Sequence, residues 1–184
     1  MWRERPADAY AALAFLQSQP FVAASKVALM GWSQGGGVTL EAIAALGLGR
    51  PDPPPAHDFA AAIAFYPGLC GERSLASHLG APSGSWATAI PLLVLQGGAD
   101  NWTPAKPCEA LLSDAQARHQ PVTFHIYPGA YHSFDAPRMP IHAVERYRRN
   151  DWAPIEGTDE EARLDALSRA SQFLAERLGS RPAP

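Results

Sequence analysis

The sequence predicts an α/β fold, a mostly parallel sheet flanked by helices, and three observations favour it. Short apolar runs alternate along the chain with longer segments of helical periodicity. The runs at residues 59–66 and 91–96 are apolar throughout, which is typical of strands covered on both faces. Glycine or proline follows these runs and ends them. In such a sheet, ligands bind beyond the carboxyl ends of the strands.

Four strands and three helices account for most of the chain before its last segment. The strands are expected at residues 26–31, 59–66, 91–96 and 122–127. The helices are expected at residues 8–19, 34–46 and 104–119. Residues 69–89 are rich in Gly, Ser and Pro and are expected to form a loop or short lid.

A further helix is expected after a long loop that follows the fourth strand. Its start is predicted by a capping box, Thr158-Asp159-Glu160-Glu161, and its end by Gly179. Leucines at helical spacing are expected to form its buried face, namely Leu164, Leu167, Leu174 and Leu178.

Composition limits the classes of function. The 184 residues fit one domain, spanning 1–184, and the 47% apolar and 18% charged content is that of a globular protein. A net charge of −3 without a Lys/Arg cluster argues against nucleic acid and membrane partners. No apolar run reaches the length of about 18 residues that a membrane span requires, so the chain as written is expected to be cytoplasmic. Metal and dinucleotide motifs are lacking, so no metal and no cofactor are expected.

The stretch Gly31-Trp32-Ser33-Gln34-Gly35 has the Gly-x-Ser-x-Gly pattern between a predicted strand and a predicted helix. Such a turn lifts the serine hydroxyl clear of the sheet, and a side chain at Gly31 or Gly35 is expected to collide across it. Ser33 is therefore a predicted nucleophile, and the Gln34 N–H a predicted oxyanion-hole donor. The alternative is a chance match in a loop that contains glycine.

A serine nucleophile needs a base and a carboxylate that orients the base. Of six histidines, His132 alone follows the end of a strand after a candidate acid. Asp100 follows the third strand and completes the chain order Ser, acid, His. The alternative for Asp100 is a helix N-cap or an Asx-turn. Asp135 is a competing acid that would need a special turn to reach His132.

Two tryptophans and two cysteines leave alternatives open. Trp32 and Trp102 flank the predicted site, where they could bind substrate or simply pack. Cys70 and Cys108 follow neighbouring strands at the same end of the sheet, so a disulfide and two reduced thiols are weighed equally. A disulfide would suggest that a longer parent protein is exported.

Three motifs in order give the chain a family resemblance. They are Met30-Gly31-Trp32-Ser33-Gln34-Gly35-Gly36, Gly98-Ala99-Asp100-Asn101-Trp102-Thr103-Pro104 and Tyr127-Pro128-Gly129-Ala130-Tyr131-His132-Ser133-Phe134. The chain resembles the dienelactone hydrolase family of the α/β-hydrolase superfamily. The resemblance implies hydrolysis of a carboxylic ester or lactone through an acyl-enzyme on Ser33. The archetypal members use cysteine as nucleophile, so the serine here favours a general esterase.

The resemblance also implies that part of the fold is missing. The family's full sheet has eight strands and the nucleophile follows the fifth, whereas only one helix precedes Ser33 here. We therefore expect about four strands, the C-terminal half, without a second oxyanion-hole donor and with low turnover. The strand at residues 27–30 would be an open edge through which copies could associate. The alternatives are a non-catalytic remnant that packs or binds, and a serine peptidase.

Overall fold

Four parallel strands in the order β1-β2-β3-β4 form the central sheet of the computed structural model, which describes residues 4–46 and 50–179. The strands are β1 (Ala28–Trp32), β2 (Ala61–Phe65), β3 (Leu92–Gly97) and β4 (Val122–Tyr127). Their parallel register aligns Gly31 with Ala64 and Ala64 with Val94, so all four carboxyl ends meet at one edge. The predicted fold class is confirmed.

Five α-helices within the described ranges cover the two faces of this sheet. They are α1 (Arg5–Gln17), α2 (Gln34–Ala42), α3 (Glu72–Leu79), α4 (Ala105–Ala117) and α5 (Glu160–Leu178). Successive residues of β2 point to opposite faces: Ala64 belongs to the core that contains residues of α1, α2, α3 and α4, and Ile63 to the core that contains residues of α5. Strands β2 and β3 are buried along their whole length, which explains their uniformly apolar sequences.

Helices α2 and α3 differ most from the prediction on the face of the sheet to which Ala64 points. The expected loop at residues 69–89 contains α3, an amphipathic helix that buries Leu75 and Ala76 and ends at Gly80 in a left-handed conformation, φ 65°. The helix was not predicted because it is short and is flanked on both sides by Gly, Ser and Pro residues, which are typical of loops. Helix α2 ends at Ala42 rather than at residue 46, because the chain turns there and Ala45 N–H donates to Ala87 O. Residues 47–49, where the predicted helix fades out, lie outside the described residues.

The predicted leucine face of α5 is wrong at Leu164 and Leu167, whereas Leu174 does pack against the core. The buried residues are Ala162, Ala166, Ala170 and Phe173, whereas Leu164 is 58% exposed and Leu167 41% exposed. Alanines four residues apart let the helix approach the sheet closely, so this face, rather than Leu164 and Leu167, meets the core. The capping residue is Asp159, whose carboxylate accepts from Ala162 N–H, and Thr158 instead accepts from Met139 N–H. Gly179 ends the helix at φ 68°, as predicted.

The long segment between β4 and α5 is not a plain loop. It contains a short antiparallel pair, β5 (His142–Ala143) with β6 (Ile155–Glu156). The Asn101 side chain donates to Ala153 O at 2.9 Å and accepts from Ile155 N–H at 2.8 Å. These two bonds attach the segment to the loop that follows β3.

A disulfide joins Cys70 to Cys108, with the two Cα atoms 4.6 Å apart. Of the two alternatives for these cysteines, the structure therefore contains the cross-link, which ties the loop after β2 to the first turns of α4. In the described ranges, none of the helices has the length and apolar character needed to traverse a membrane. Strand β1 lies at one edge of the sheet, and self-association through it stays a prediction.

Candidate active site

Ser33 stands between β1 and α2 on a turn with an unusual backbone. Its φ is 51° and its ψ −114°, a conformation that non-glycine residues rarely adopt. The turn is fixed from both sides, since Ser33 N–H donates to Phe65 O at 2.9 Å and Gly68 N–H donates to Ser33 O at 2.7 Å. The end of β2 therefore holds the strained residue in place.

Two glycines make this turn sterically feasible, but they are not both the predicted ones. A Cβ at Gly31 would collide with the Gly35 carbonyl, as expected. A Cβ at Gly35 would meet open space, so the collision expected there is wrong. The second close approach is at Gly36, where a Cβ would lie 2.9 Å from Pro67 Cα. The helix start thus packs against the loop after β2.

His132 links Ser33 to Asp100. Its Nε2 is 2.8 Å from Ser33 Oγ, and its Nδ1 is 2.7 Å from Asp100 Oδ2. A carboxylate can only accept, so the proton of the neutral imidazole sits on Nδ1 and the Nε2 lone pair faces the serine hydroxyl. The side chains of His132 and Asp100 are 3% and 0% exposed. The structure thus brings together the three residues that the sequence places at the ends of β1, β3 and β4.

The Asp100 carboxylate is held by the loop that contains it. Its Oδ1 accepts from Trp102 N–H and Thr103 N–H, both at 2.8 Å, and its Oδ2 accepts from the Thr103 hydroxyl at 2.8 Å. The Asx-turn considered for Asp100 is therefore present, and it leaves Oδ2 facing His132. Asp100 is not the N-cap of α4, because Pro104 occupies that position.

Thr103 is a site residue that sequence reasoning missed. Its hydroxyl oxygen is 2.8 Å from Asp100 Oδ2, 3.1 Å from Tyr66 O and 3.2 Å from His132 Nδ1. Asp100 Oδ2 and Tyr66 O are both acceptors, so the single hydroxyl proton can be donated to only one of them at a time. The signal in the sequence was a hydroxyl residue three positions after the acid, but such residues are too common to be noticed.

Asp135, the competing acid, has other partners. Its Oδ1 accepts from the Tyr66 hydroxyl at 2.6 Å and its Oδ2 from Trp32 Nε1–H at 2.7 Å. The oxygen nearest to His132 Nδ1 therefore comes from Asp100. The Tyr66 ring also lies beside the base, with its centroid 4.5 Å from that of His132.

The family model for the dienelactone hydrolase family matches residues 3–178 of the chain. The chain belongs to the dienelactone hydrolase family. A comparison with curated proteins finds no match.

Solved structures share the fold of this dienelactone hydrolase family member. Thermogutta terrifontis esterase 2, phosphoramylated by tabun, is 20% identical with a TM-score of 0.64, covering 95% of this chain and 65% of its own. A Klebsiella pneumoniae protein named as a candidate dienelactone hydrolase is 23% identical with a TM-score of 0.63, covering 93% and 60%. MGS-M1, an α/β-hydrolase from a Medee basin deep-sea metagenome library, is 16% identical with a TM-score of 0.62, covering 95% and 64%. The chain thus spans less than two thirds of the length of each.

Gln34, the predicted oxyanion-hole residue, is the first residue of α2 in this family member. Backbone N–H groups in the first turn of a helix have no partner within the helix, and the helix dipole favours negative charge there. The Gln34 side chain accepts from Arg5 Nη1 at 2.9 Å, which attaches the start of α1 to the turn that carries Ser33.

The two predicted substrate-binding tryptophans occupy different positions. The Trp102 ring is 4.9 Å from the His132 ring and lines a cavity of about 150 Å³. The other walls of this cavity are uncharged, and they include Pro67, Leu69 and Thr103. Trp32 is 43% exposed and stacks on Phe65 at 5.3 Å between centroids. Trp102 thus lines a cavity, whereas Trp32 stacks on Phe65 and donates a hydrogen bond to Asp135.

Other titratable groups lie outside this site. A cavity of about 410 Å³ between β4 and α5 is lined by His125, Tyr127 and Asp165 and by none of Ser33, Asp100 and His132. Burial, together with the charge of Arg169, lowers the pKa of His125. Across residues 4–46 and 50–179, no group of three or more His, Cys, Asp or Glu side chains is arranged to hold a metal ion.

Proposed function

We propose that this member of the dienelactone hydrolase family is a serine hydrolase that cleaves a carboxylic ester or lactone through an acyl-enzyme on Ser33. One observation carries the proposal. A continuous hydrogen-bonded chain runs from Ser33 Oγ through His132 to Asp100, and its serine sits on a strained turn between a strand and a helix. Nucleophile, base and orienting carboxylate are the components that acyl transfer needs.

The proposed reaction begins with the Ser33 hydroxyl. His132 Nε2 takes its proton as Ser33 Oγ attacks the carbonyl carbon, and the Gln34 N–H donates to the oxyanion of the tetrahedral intermediate. The imidazolium then protonates the leaving alcohol, and the C–O bond breaks to leave the acyl group on Ser33. Water attacks this ester while His132 takes its proton. The second tetrahedral intermediate then breaks its bond to Ser33 Oγ, the imidazolium returns the proton to Oγ, and the acid is released.

Asp100 and Thr103 support the base in this scheme. The Asp100 carboxylate keeps the proton of the neutral imidazole on Nδ1 and stabilises the imidazolium that forms during attack. Two backbone N–H groups and the Thr103 hydroxyl hold the carboxylate in place, so it needs no rearrangement during the reaction. We assign one oxyanion donor within the described residues, and turnover is proposed to be low because a missing donor costs about 10²–10³ in rate.

An uncharged, short-chain ester is the proposed substrate class. The cavity beside Trp102 is small, about 150 Å³, and its walls combine prolines and Leu69 with the hydroxyl residues Ser74 and Thr103, without a charged side chain. Such walls suit an uncharged group better than a carboxylate, since burying a charge without a partner is costly. The similar Thermogutta terrifontis protein is an esterase that reacts with an organophosphate, which makes organophosphorus probes a natural test.

A fluorophosphonate probe and p-nitrophenyl acetate test the proposal together. Wild-type protein is expected to bind the probe covalently and to hydrolyse the ester, and Ser33→Ala is expected to lose both activities. Ser113→Ala, which removes an exposed hydroxyl from α4, is the matched control and is expected to behave as wild type. A folded wild-type protein that neither labels nor turns over would instead indicate a non-catalytic remnant that packs or binds.

A further inference from the structure

Two hydrogen-bond donors from neighbouring strands converge on Asp135. Trp32, the last residue of β1, donates Nε1–H to Asp135 Oδ2 at 2.7 Å. Tyr66, the residue after β2, donates its hydroxyl to Asp135 Oδ1 at 2.6 Å. The carboxylate thus connects the ends of two strands to the loop that carries His132.

Each of the three residues adjoins a member of the proposed catalytic triad. Trp32 immediately precedes Ser33, and Asp135 follows His132 by three positions. The Tyr66 ring packs against the His132 ring, with 4.5 Å between centroids. The three hydrogen-bonded side chains therefore lie around Ser33 and His132 without replacing either one.

The backbone around this cluster is strained at several points. Ser33, Tyr66 and Ser133 have φ values of 51°, 33° and 58°, in the region that favours glycine. Such conformations persist only where the surrounding contacts hold them. The hydrogen bonds of Asp135 join the segments that carry all three of these residues.

A carboxylate suits this position because both of its partners are donors. Trp Nε1–H can only donate. Burial, followed by the charge of Asp135, raises the pKa of Tyr66 far above its usual range, so its hydroxyl keeps its proton and can donate. An asparagine would offer one acceptor oxygen, which Trp32 Nε1–H requires, and would turn its NH₂ group toward the Tyr66 hydroxyl, which would then have to accept instead of donate.

We propose that Asp135 is a positioning residue that sets the geometry of Ser33 relative to His132 through its hydrogen bonds to Trp32 and Tyr66. The role rests on the proposed function, since it concerns the approach of the serine hydroxyl to the imidazole. Small displacements of reacting groups can cost large factors in rate, so a loosened cluster should slow the chemical step and leave substrate binding intact.

The test compares Asp135→Asn with wild type in p-nitrophenyl acetate hydrolysis and in the rate of fluorophosphonate labelling. We expect kcat and the labelling rate to fall by roughly tenfold, with KM changed by less than about twofold. Trp32→Phe and Tyr66→Phe each remove one donor and are expected to give smaller reductions. If Asp135→Asn does not fold, these two variants carry the test, and kcat values equal to wild type in both would overturn the role.

A second tyrosine–aspartate pair supplies a matched control. Tyr127 donates its hydroxyl to Asp165 Oδ2 at 2.8 Å, on α5 and away from Ser33. Asp165→Asn is expected to alter thermal stability while leaving kcat at the wild-type value. Equal reductions in kcat for Asp165→Asn and Asp135→Asn would show a general loss of structure and overturn the positioning role.

A double-mutant comparison isolates the two hydrogen bonds. If Asp135 acts through its two donors, Asp135→Asn should cause no further loss of kcat in the Trp32→Phe/Tyr66→Phe background. A full additional loss there would overturn the role. A wild-type protein without Ser33-dependent turnover would overturn the proposed function and this role with it, whereas full kcat in a folded Asp135→Asn variant would overturn this role alone.

Discussion

The His132–Asp100 pair and the His78–Glu41 pair contain similar chemical groups in different surroundings. In each, histidine Nδ1 contacts a carboxylate oxygen, at 2.7 Å and 3.1 Å, and the carboxylate side chain is 0% exposed. His132 and Asp100 follow strands β4 and β3, whereas His78 and Glu41 lie on helices α3 and α2. His132 is 3% exposed and reaches Ser33 through Nε2, and His78 is 31% exposed.

The difference shows that a histidine beside a carboxylate is not in itself a catalytic unit. Pairing fixes the orientation of the imidazole in both places, but only the pair at the carboxyl edge of the sheet contacts the Ser33 hydroxyl, the proposed nucleophile. The helix pair instead joins α3 to α2 on one face of the sheet. Substitutions in the two pairs should therefore affect different properties.

The largest expected effect is that of Asp100→Asn. The amide can present its NH₂ group to His132 Nδ1 and hold the imidazole in the wrong tautomer, so we expect kcat to fall by about 10⁴ while the fold is kept. Steady-state hydrolysis of p-nitrophenyl acetate measures this loss, with circular dichroism as the check on folding. A harmless Asp100→Asn alongside a severely damaging Asp135→Asn would show that the acid is assigned to the wrong residue.

Thr103→Val should have an intermediate effect. The substitution keeps the shape of the side chain and removes the hydroxyl that donates to Asp100 Oδ2 at 2.8 Å. We expect a reduction in kcat of roughly tenfold, because a net hydrogen bond to a charged group is worth about 1.5–3 kcal/mol and two backbone donors remain. Thr88→Val, which removes a buried hydroxyl ahead of β3, is the control and should keep full kcat. Equal kcat values for the Thr103→Val and Thr88→Val variants would show that the Thr103 hydroxyl does not contribute to turnover.

The smallest effect on turnover is expected for His78→Ala. The change removes one contact of the buried Glu41 carboxylate, so we expect the free energy of unfolding to fall by about 1–3 kcal/mol. Urea denaturation measures this quantity, and kcat at a temperature where the variant is folded should match that of wild type. A large loss of kcat in a folded His78→Ala protein would contradict the distinction between the two pairs.

The placement of Ser33, Asp100 and His132 at one edge could be predicted because it depends on local features. Each residue follows an apolar strand, and parallel strands bring their carboxyl ends together regardless of the details of packing. The buried face of α5 could not be predicted in this way. Leucine is more apolar than alanine, but α5 lies so close to the sheet that the small residues Ala162, Ala166 and Ala170 form the buried face.

The partners of Asp135 also lay beyond prediction. Its bonds to Tyr66 and Trp32 join residues 69 and 103 positions apart in the sequence. No spacing rule connects such residues, because their meeting depends on how loops from different strands pack. Sequence proximity to His132 made Asp135 a candidate acid, whereas the tertiary structure gives it two donors from elsewhere.

The disulfide between Cys70 and Cys108 has a consequence for the unfolded chain. It closes a covalent ring over a sequence separation of 38, and this ring contains β3 and Asp100. Closing a ring of this size removes conformational entropy from the denatured ensemble, equivalent to between about 3 and 5 kcal/mol of stability. When the chain refolds with this disulfide intact, the loop after β2 and the start of α4 are already joined. The path along the covalent chain between β2 and β3 is then shorter through the disulfide than through the intervening sequence.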